Sequence, residues 1–114
     1  MTNIIIWNEN IHEVENEEVK KIYPKGIHGC IKDFLSTDKS LNISTATLEE
    51  KDHGLSEELL DKTDVLMWWG HKAHNLVEDK IVDRIQQRVL EGMGLLVLHS
   101  GHHSKIFKRM MGTT

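Results

Sequence analysis

Four short apolar runs divide the chain, and polar segments with helical spacing separate them. The first run, residues 3–7, is continuous and rich in isoleucine, as in a strand buried on both faces of a sheet. Residues 41–48 alternate and contain Thr and Ser, which indicates a strand nearer the edge of the sheet. Residues 64–69 and 94–99 are the third and fourth predicted strands, and each is closely followed by a glycine.

Apolar residues at spacings of three and four predict four helices between and after these strands. The first covers residues 27–35, and the second is a short helix over residues 56–60 with Ser56 as its N-cap. The last helix begins near His102, and its apolar side consists of Ile106, Phe107, Met110 and Met111.

The third predicted helix has the strongest pattern and runs from Asn75 to about Glu91. Asn75 and Glu78 are spaced like a capping pair at its start. Gly92 lies where the C-terminus of a helix favours a left-handed residue. Both ends of this helix are therefore predicted from local signals.

The predicted order is β-α-β-α-β-α-β-α, which is typical of a parallel sheet covered by helices on both faces. Ligands bind such sheets outside the carboxyl ends of the strands, where the strand order reverses. Residues 8–12, 70–74 and 99–103 follow strands and are expected at this edge. The last helix ends soon after the fourth strand, which leaves that strand with an unpaired edge. We therefore expect residues 1–114 to be the N-terminal part of a larger domain, or a fragment that needs a partner.

The composition excludes several classes of protein. The 14 basic and 18 acidic residues give a net charge of −4, and no basic run interleaved with aromatic residues indicates nucleic-acid binding. No apolar stretch approaches the ~20 residues that cross a bilayer. The N-terminus lacks the basic lead-in of a signal peptide, and the single cysteine, Cys30, forms no internal disulfide. We expect a cytoplasmic protein with no nucleic-acid or membrane partner.

Histidines are concentrated at the ends of two predicted strands. Five of the eight lie in two short segments: His71, His74, His99, His102 and His103. Histidine changes its charge near neutral pH and is the commonest metal ligand. Because the carboxyl ends of parallel strands meet at one edge of a sheet, the two segments are expected to line one site.

A metal site is one interpretation of these histidines. His71 and His74 face the same cleft if their segment opens a helix or forms a tight loop. With His28, in the first turn of the first helix, and His99, they make a reasonable ligand set for a divalent metal such as zinc. The alternative is that His71 and His74 only hydrogen-bond the loop backbone and that His28 is a surface histidine.

His99 is the first candidate for acid–base catalysis, because the end of the strand would hold its imidazole above the sheet. It could instead bind the metal or be a buried histidine bonded to backbone. Ser100 is a nucleophile only with a base in reach, and otherwise caps the last helix or bonds a ligand hydroxyl. His102 and His103 are adjacent and are expected to point in different directions, so that one of them, His102, faces the ligand.

Further ligand contacts are expected past the first and third strands. Asn8, Glu9 and His12 are polar and follow the first strand. Glu9 could act as an acid, a base or a metal ligand, although a solvated loop carboxylate is the simpler interpretation. Trp68 and Trp69 point to opposite faces of the sheet, so one packs in the core and the one nearer the cleft, Trp69, is a candidate ligand contact.

Three segments of the chain resemble the ThuA-like family, the trehalose-utilisation proteins. They are residues 23–35, with Tyr-Pro-Lys-Gly-Ile-His-Gly-Cys, residues 68–74, with Trp-Trp-Gly-His-Lys-Ala-His, and residues 98–107, with His-Ser-Gly-His-His. The resemblance runs over nearly the whole chain. It implies a class I glutamine amidotransferase-like, flavodoxin-like fold, a three-layer α/β sandwich. Members of the family are about twice this long, which agrees with the open edge and with a chain that is only the N-terminal half of the full domain.

The resemblance implies the fold of the amidotransferases but not their reaction. In amidotransferases the turn after the corresponding strand is a nucleophile elbow of the form Gly-x-Cys-x-Gly. Here the turn is Val97-Leu98-His99-Ser100-Gly101, so His99 replaces the cysteine. Hydrolysis of glutamine by a thiolate at this turn is thereby excluded.

The family is associated with the use of trehalose and related disaccharides, which implies a small-molecule sugar as the partner. One hypothesis is an enzyme that acts on a disaccharide or keto-sugar by histidine acid–base or metal-assisted chemistry. A second is a non-catalytic sugar-binding or regulatory protein on a degenerate amidotransferase-like fold. A third is an association module, in which the open strand pairs with another chain, as in a homo-oligomer.

Overall fold

The structure is a computed structural model that describes residues 1–99 and 101–112, except the side chains of His12 and Glu13. Four parallel strands form one sheet with the order β2-β1-β3-β4. They are β1 (Thr2–Asn8), β2 (Leu41–Thr47), β3 (Val65–Trp69) and β4 (Gly94–Val97). The predicted α/β fold with a parallel sheet is confirmed. Ser100, predicted to be catalytic, lies outside the described residues.

The position of each strand explains its sequence pattern. β1 lies between β2 and β3, and its residues from Ile4 onward are buried. β2 lies at one edge and alternates between exposed and partly buried positions, as predicted. β4 ends at Val97, so the prediction that the strand continues to His99 is wrong. In the described part of the chain, β4 pairs with β3 alone, and its other edge is unpaired.

Helices and single 3-10 turns connect the strands. The helices are α1 (His12–Glu15), α2 (Glu17–Ile22), α3 (Gly26–Leu35), α4 (Glu57–Asp61), α5 (Asp79–Leu90) and α6 (Lys105–Met111). The 3-10 turns are Lys51–Gly54, His74–Leu76 and Gly101–His103. Predicted counterparts exist for α3 to α6, whereas α1 and α2 occupy a charged segment that was not expected to be helical. Among the described residues, no helix combines the length and the apolar character needed to cross a membrane.

The ends of the helices test the capping predictions. Ser56 caps α4 by accepting the backbone N–H of Leu59, as predicted. Gly92 follows α5 with a φ of 115°, the left-handed conformation that was expected there. The predicted capping pair of Asn75 and Glu78 is wrong, because Glu78 is itself the N-cap and donates its backbone N–H to a histidine from another part of the chain.

The core lies between the sheet and α5. Trp7 of β1 and Trp68 of β3 are neighbours in the register, and their rings stack with centroids 3.8 Å apart. Both are 1% exposed, which confirms that Trp68 packs in the core. The apolar side of α5 covers this sheet face with Ile81, Val82 and Ile85. The stacked indoles therefore pack on the two central strands, close to the loops that follow β1 and β3.

Candidate functional site

The strand order reverses between β1 and β3. After β1 the chain passes to β2 on one side, and it then returns to β3 on the other side. Ligands bind open parallel sheets at this position, outside the carboxyl ends of the strands. Asn8 ends β1 and Glu9 directly follows it, and the segment 70–74 follows β3. These two segments are the candidate functional site.

Glu9 is the buried centre of this site. Glu9 is only 1% exposed. One carboxylate oxygen accepts the backbone N–H of Lys72 at 2.5 Å, and the other accepts that of Ala73 at 2.9 Å. Hydrogen bonds to a carboxylate are stronger than those between neutral groups, so Glu9 ties the loop after β3 to the end of β1. The simpler interpretation of Glu9, a solvated loop carboxylate, is wrong.

Gly70 allows Glu9 and His74 to approach each other. A Cβ at Gly70 would lie 3.1 Å from Nδ1 of His74 and 3.4 Å from Oε2 of Glu9. A contact of 3.1 Å is tighter than ordinary van der Waals contact, so a side chain here would displace the imidazole. The glycine thus leaves room for the ring and the carboxylate to lie together over the end of β3.

The surroundings of His74 favour its neutral form. Burial lowers the pKa of His74, and the positive charges of His103, His71 and Lys108 lower it further, while the carboxylate of Glu9 opposes them. The net effect is a pKa below the ordinary value of histidine. At neutral pH the imidazole can therefore accept a proton, and the adjacent Glu9 stabilises the imidazolium that forms.

A row of imidazoles continues from His74 towards β4. The ring centroids are 6.2 Å apart between His74 and His103, 4.0 Å between His103 and His102, and 5.5 Å between His102 and His99. We call these four residues the histidine row. His102 and His103 lie side by side in the turn Gly101–His103 and are both exposed, so the expectation that they point in different directions is wrong. Desolvation, His103 and His99 lower the pKa of His102.

His99, the first candidate for catalysis, lies at the far end of this row. It is exposed and, together with His102 and Phe107, lines a shallow cavity of about 360 Å³ beside β4. Among the described residues other than glycine, a positive φ occurs only at Asn10, Asp52 and His53. His99 therefore does not adopt a left-handed backbone conformation, and it lies two residues past the end of β4.

Trp69 connects the loops that follow β3 and β4. Its indole N–H donates to the backbone carbonyl of His99 at 2.8 Å, and its ring lies 6.0 Å from the ring of His71. Trp69 is 8% exposed, so it mainly supports this edge of the sheet. Its predicted contact with a ligand remains a prediction.

Asn8 directs its side chain towards α3. It is fully buried, and its Nδ2 lies 2.9 Å from Nδ1 of His28 in the first turn of α3. Its Oδ1 accepts the backbone N–H of Asn10 at 3.0 Å. Asn8 and Glu9, which are adjacent in sequence, thus organise two different parts of the edge.

The predicted metal ligands are not assembled in this structure. Across the described side chains, no group of three His, Cys, Asp or Glu residues has a geometry that could hold a metal ion. His74 lies beside Glu9 and His103. His28, by contrast, lies in α3 and is hydrogen-bonded to Asn8 of β1. The backbone of His12 begins α1, and its side chain is outside the described part. A divalent metal at His28, His71 and His74 stays a prediction without support from this arrangement.

Sequence reasoning overlooked Gly70 and His53. The signal for Gly70 was present, since a glycine directly after a buried strand often marks a close approach of other groups. His53 lies in no motif, yet it is 9% exposed and bonds to three separate segments. Its role is structural, because each of its partners belongs to the backbone or to the core.

A comparison with protein families assigns the chain to a family. Residues 3–114 match the model of the ThuA family, which is described as trehalose utilisation. Among curated proteins, none matches the chain. The matched range includes β1 from Asn3 onward, β2 to β4, Glu9 and the histidine row. The chain belongs to the ThuA family of trehalose-utilisation proteins.

Proposed function

We propose that this protein acts on a keto derivative of a disaccharide by histidine acid–base chemistry, with His74 as the base. The observation that supports this most is the buried Glu9 carboxylate beside His74 at the point where the strand order reverses. The membership of the ThuA family supports a role in the use of trehalose-like sugars.

The proposed step is the removal of a proton from the carbon next to the ketone. Neutral His74 takes the proton, and the electron pair of the broken C–H bond forms a C=C bond to the carbonyl carbon. The π pair of the carbonyl moves to its oxygen, which gives an enediolate where the deprotonated carbon carries a hydroxyl. Glu9 stabilises the imidazolium, since opposite charges at short range favour the ionised form. Return of the proton to the same carbon regenerates the ketone. Its delivery to the former carbonyl carbon, with transfer of the proton of the neighbouring hydroxyl to the former carbonyl oxygen, yields the isomeric ketone.

His99 has a different position in this proposal. It is exposed on the shallow cavity with His102, at the opposite end of the histidine row from Glu9. No carboxylate of the described residues is hydrogen-bonded to its ring. We therefore assign His99 to binding of the sugar at the rim and His74 to proton transfer.

The test measures exchange of the proton next to the ketone. Trehalose in which one ring hydroxyl has been oxidised is incubated with the protein in D2O, and loss of the adjacent C–H signal is followed by NMR. General-base catalysis contributes about 10² to 10⁴ in rate, so His74→Gln should reduce the exchange by at least about 100-fold. His99→Gln is the matched variant and should reduce it by less than about 10-fold at saturating sugar.

Three other outcomes are informative. Exchange that survives in His74→Gln and is lost in His99→Gln would return the catalytic role to His99. Exchange that is abolished by a chelator would show metal-assisted chemistry. Binding of the keto-disaccharide in calorimetry without any exchange would overturn the enzyme proposal and favour a sugar-binding or regulatory protein.

A further inference from the structure

The two indoles that stack in the core differ in their hydrogen bonds. Trp7 donates its Nε1–H to the backbone carbonyl of His53 at 3.0 Å. Nε1 of Trp68 is buried, and none of the described residues accepts a hydrogen bond from it. Among the described residues, no other buried side-chain nitrogen or oxygen is without a partner. A buried donor without an acceptor is costly and rare in folded proteins, so this N–H indicates an acceptor that the described residues do not supply.

The N–H edge of the Trp68 indole lies against the turn that follows β4. Gly101 begins this 3-10 turn. A Cβ at Gly101 would lie 3.7 Å from Cδ1 of Trp68, the ring carbon bonded to Nε1, and 3.5 Å from the backbone carbonyl oxygen of Trp68. Gly101 is buried, whereas His102 and His103 of the same turn are exposed. The backbone of Gly101 therefore covers this edge of the indole, and the exposed side of the turn carries two residues of the histidine row.

The turn can move at a small cost in free energy. Gly101 has no side chain, so its displacement exposes little apolar surface apart from the indole edge. The turn is held by backbone hydrogen bonds from Gly101 to the carbonyl of Leu98 at 2.5 Å and from Ser104 to the carbonyl of Gly101 at 2.9 Å. Segments with few buried contacts open locally at a lower free energy than the core does. The turn is therefore a route by which a ligand can reach the N–H of Trp68.

The same turn borders the proposed catalytic base. The ring centroids of His103, in the turn, and His74 are 6.2 Å apart. Trp68 is the last but one residue of β3, and His74 lies in the loop that follows this strand. Movement of the turn therefore uncovers the donor beside the proposed site of proton transfer. The hydroxyl and carbonyl oxygens of a sugar are acceptors that suit an indole N–H.

We propose that Trp68 is a ligand contact, whose indole N–H donates a hydrogen bond to an oxygen of the bound sugar when the turn Gly101–His103 moves outward. The identity of the sugar as a keto-disaccharide rests on the function proposed above, whereas the access to the N–H does not. The face of the indole packs on Trp7, and its N–H edge binds the ligand. The competing explanation is a buried water molecule as the permanent acceptor, and it predicts that the ligand does not affect this N–H.

Deuterium exchange of the indole N–H groups, followed by ¹H–¹⁵N NMR, tests the opening of the turn without a ligand. Trp7 is the matched reference, because it is as deeply buried as Trp68 in the same stack and its N–H is bonded to a carbonyl. We expect the N–H of Trp68 to exchange at least about 10-fold faster than that of Trp7, since a local opening needs less free energy than opening of the core. Equal rates would overturn the proposal, because the turn would then give no access of its own.

Gly101→Ala tests whether the turn is the cover. The new Cβ would lie 2.7 Å from Cγ1 of Val97, which is too short for a real contact, so the turn or Val97 must shift. Exchange at Trp68 should become faster still, while exchange at Trp7 stays as it was. The same change at both indoles, or none at either, would overturn the role of the turn. If the variant does not fold, the comparison of the two indoles in the unmodified protein still decides the access.

Addition of the oxidised trehalose to the unmodified protein tests the contact itself. We expect the Nε1–H signal of Trp68 to shift downfield and its exchange to slow, while the signals of His74 shift as well. A response of His74 without one of Trp68 would overturn the contact and leave the proposed function in place. If neither residue responds, the proposed function fails together with the contact.

Trp68→Phe and Trp7→Phe are a matched pair, because each shortens one ring of the same stack and deletes one N–H. Trp68→Phe should weaken the binding of the oxidised trehalose at least about 5-fold in calorimetry, since an oxygen of the ligand loses its donor. Trp7→Phe should change the affinity by less than about 2-fold, and it should lose more stability in urea, since the carbonyl of His53 is left unpaired. Equal affinities of the two folded variants would overturn the contact, and if either variant does not fold, the NMR experiment with the unmodified protein decides it.

Discussion

His53 and the histidine row use the same side chain in opposite ways. His53 is buried, and its two ring nitrogens bond to the backbone of Leu48 and Glu78. In the histidine row, by contrast, each imidazole has another imidazole as a neighbour, with centroid distances between 4.0 and 6.2 Å. One arrangement gives the ring fixed backbone partners, and the other gives it neighbours that can also become charged.

This difference separates a histidine that links elements of the fold from histidines that set the charge at the edge of the sheet. His53 joins the end of β2, the start of α5 and, through its carbonyl, the indole N–H of Trp7 in β1. Protonation or removal of the ring would break a link between elements. A change in the histidine row alters the charge at the carboxyl edge of the sheet and leaves those links in place.

The largest expected effect is on stability, from His53→Leu. Leucine retains much of the apolar volume but leaves the carbonyl of Leu48 and the N–H of Glu78 without their partner. We expect the free energy of unfolding to fall by about 2 to 4 kcal/mol, from two lost hydrogen bonds and two partly buried backbone groups left unpaired. Urea unfolding measures the change.

His102→Leu is the matched control, because it makes the same substitution at an exposed ring. A surface change of this kind should alter the free energy of unfolding by no more than about 0.5 kcal/mol. Equal losses in the two variants would contradict the distinction between the buried histidine and the histidine row.

A smaller loss of stability is expected from Glu9→Ala. The substitution removes the acceptor of the backbone N–H groups of Lys72 and Ala73, which lie in the loop that carries His74. The cost should be about 1 to 3 kcal/mol, since one buried donor and one partly buried donor lose a charged acceptor. Glu9→Gln keeps one acceptor oxygen and should cost less in the same denaturant measurement. No loss in either variant would show that the loop holds its conformation without Glu9.

Much of the fold could be predicted because its signals are local. The four strands and the helices α3 and α5 have apolar patterns that depend only on neighbouring residues. α2 was missed because it buries no side chain and depends on capping by Asn16 and on its own charges. The start of α5 was misplaced because its first N–H is bonded by His53, which lies 25 residues earlier in the chain.

The position of the candidate site could be predicted from the sequence, but the contacts between its residues could not. The histidines were expected at one edge because all parallel strands end there. The burial of Glu9 was not foreseen, since its partners are backbone N–H groups 63 and 64 residues away, which no side-chain pattern reveals. The Asn8 and His28 pair was also missed, because 20 residues and two unpredicted helices separate them.

The smallest expected effect is on the pH dependence of stability. The pKa of His74 is lowered in the folded protein, so the unfolded chain binds a proton more readily. Protonation therefore favours unfolding, and the contribution of His74 to stability should decrease as the pH falls from about 7 to 5. His103→Gln removes a positive neighbour of His74, so the pKa of His74 should rise and this decrease should become shallower. NMR titration of His74 and urea unfolding across the same pH range measure both quantities. A pKa of His74 that does not rise in His103→Gln would mean that His103 and His74 are not electrostatically coupled, which would remove the contrast in charge coupling between the histidine row and His53.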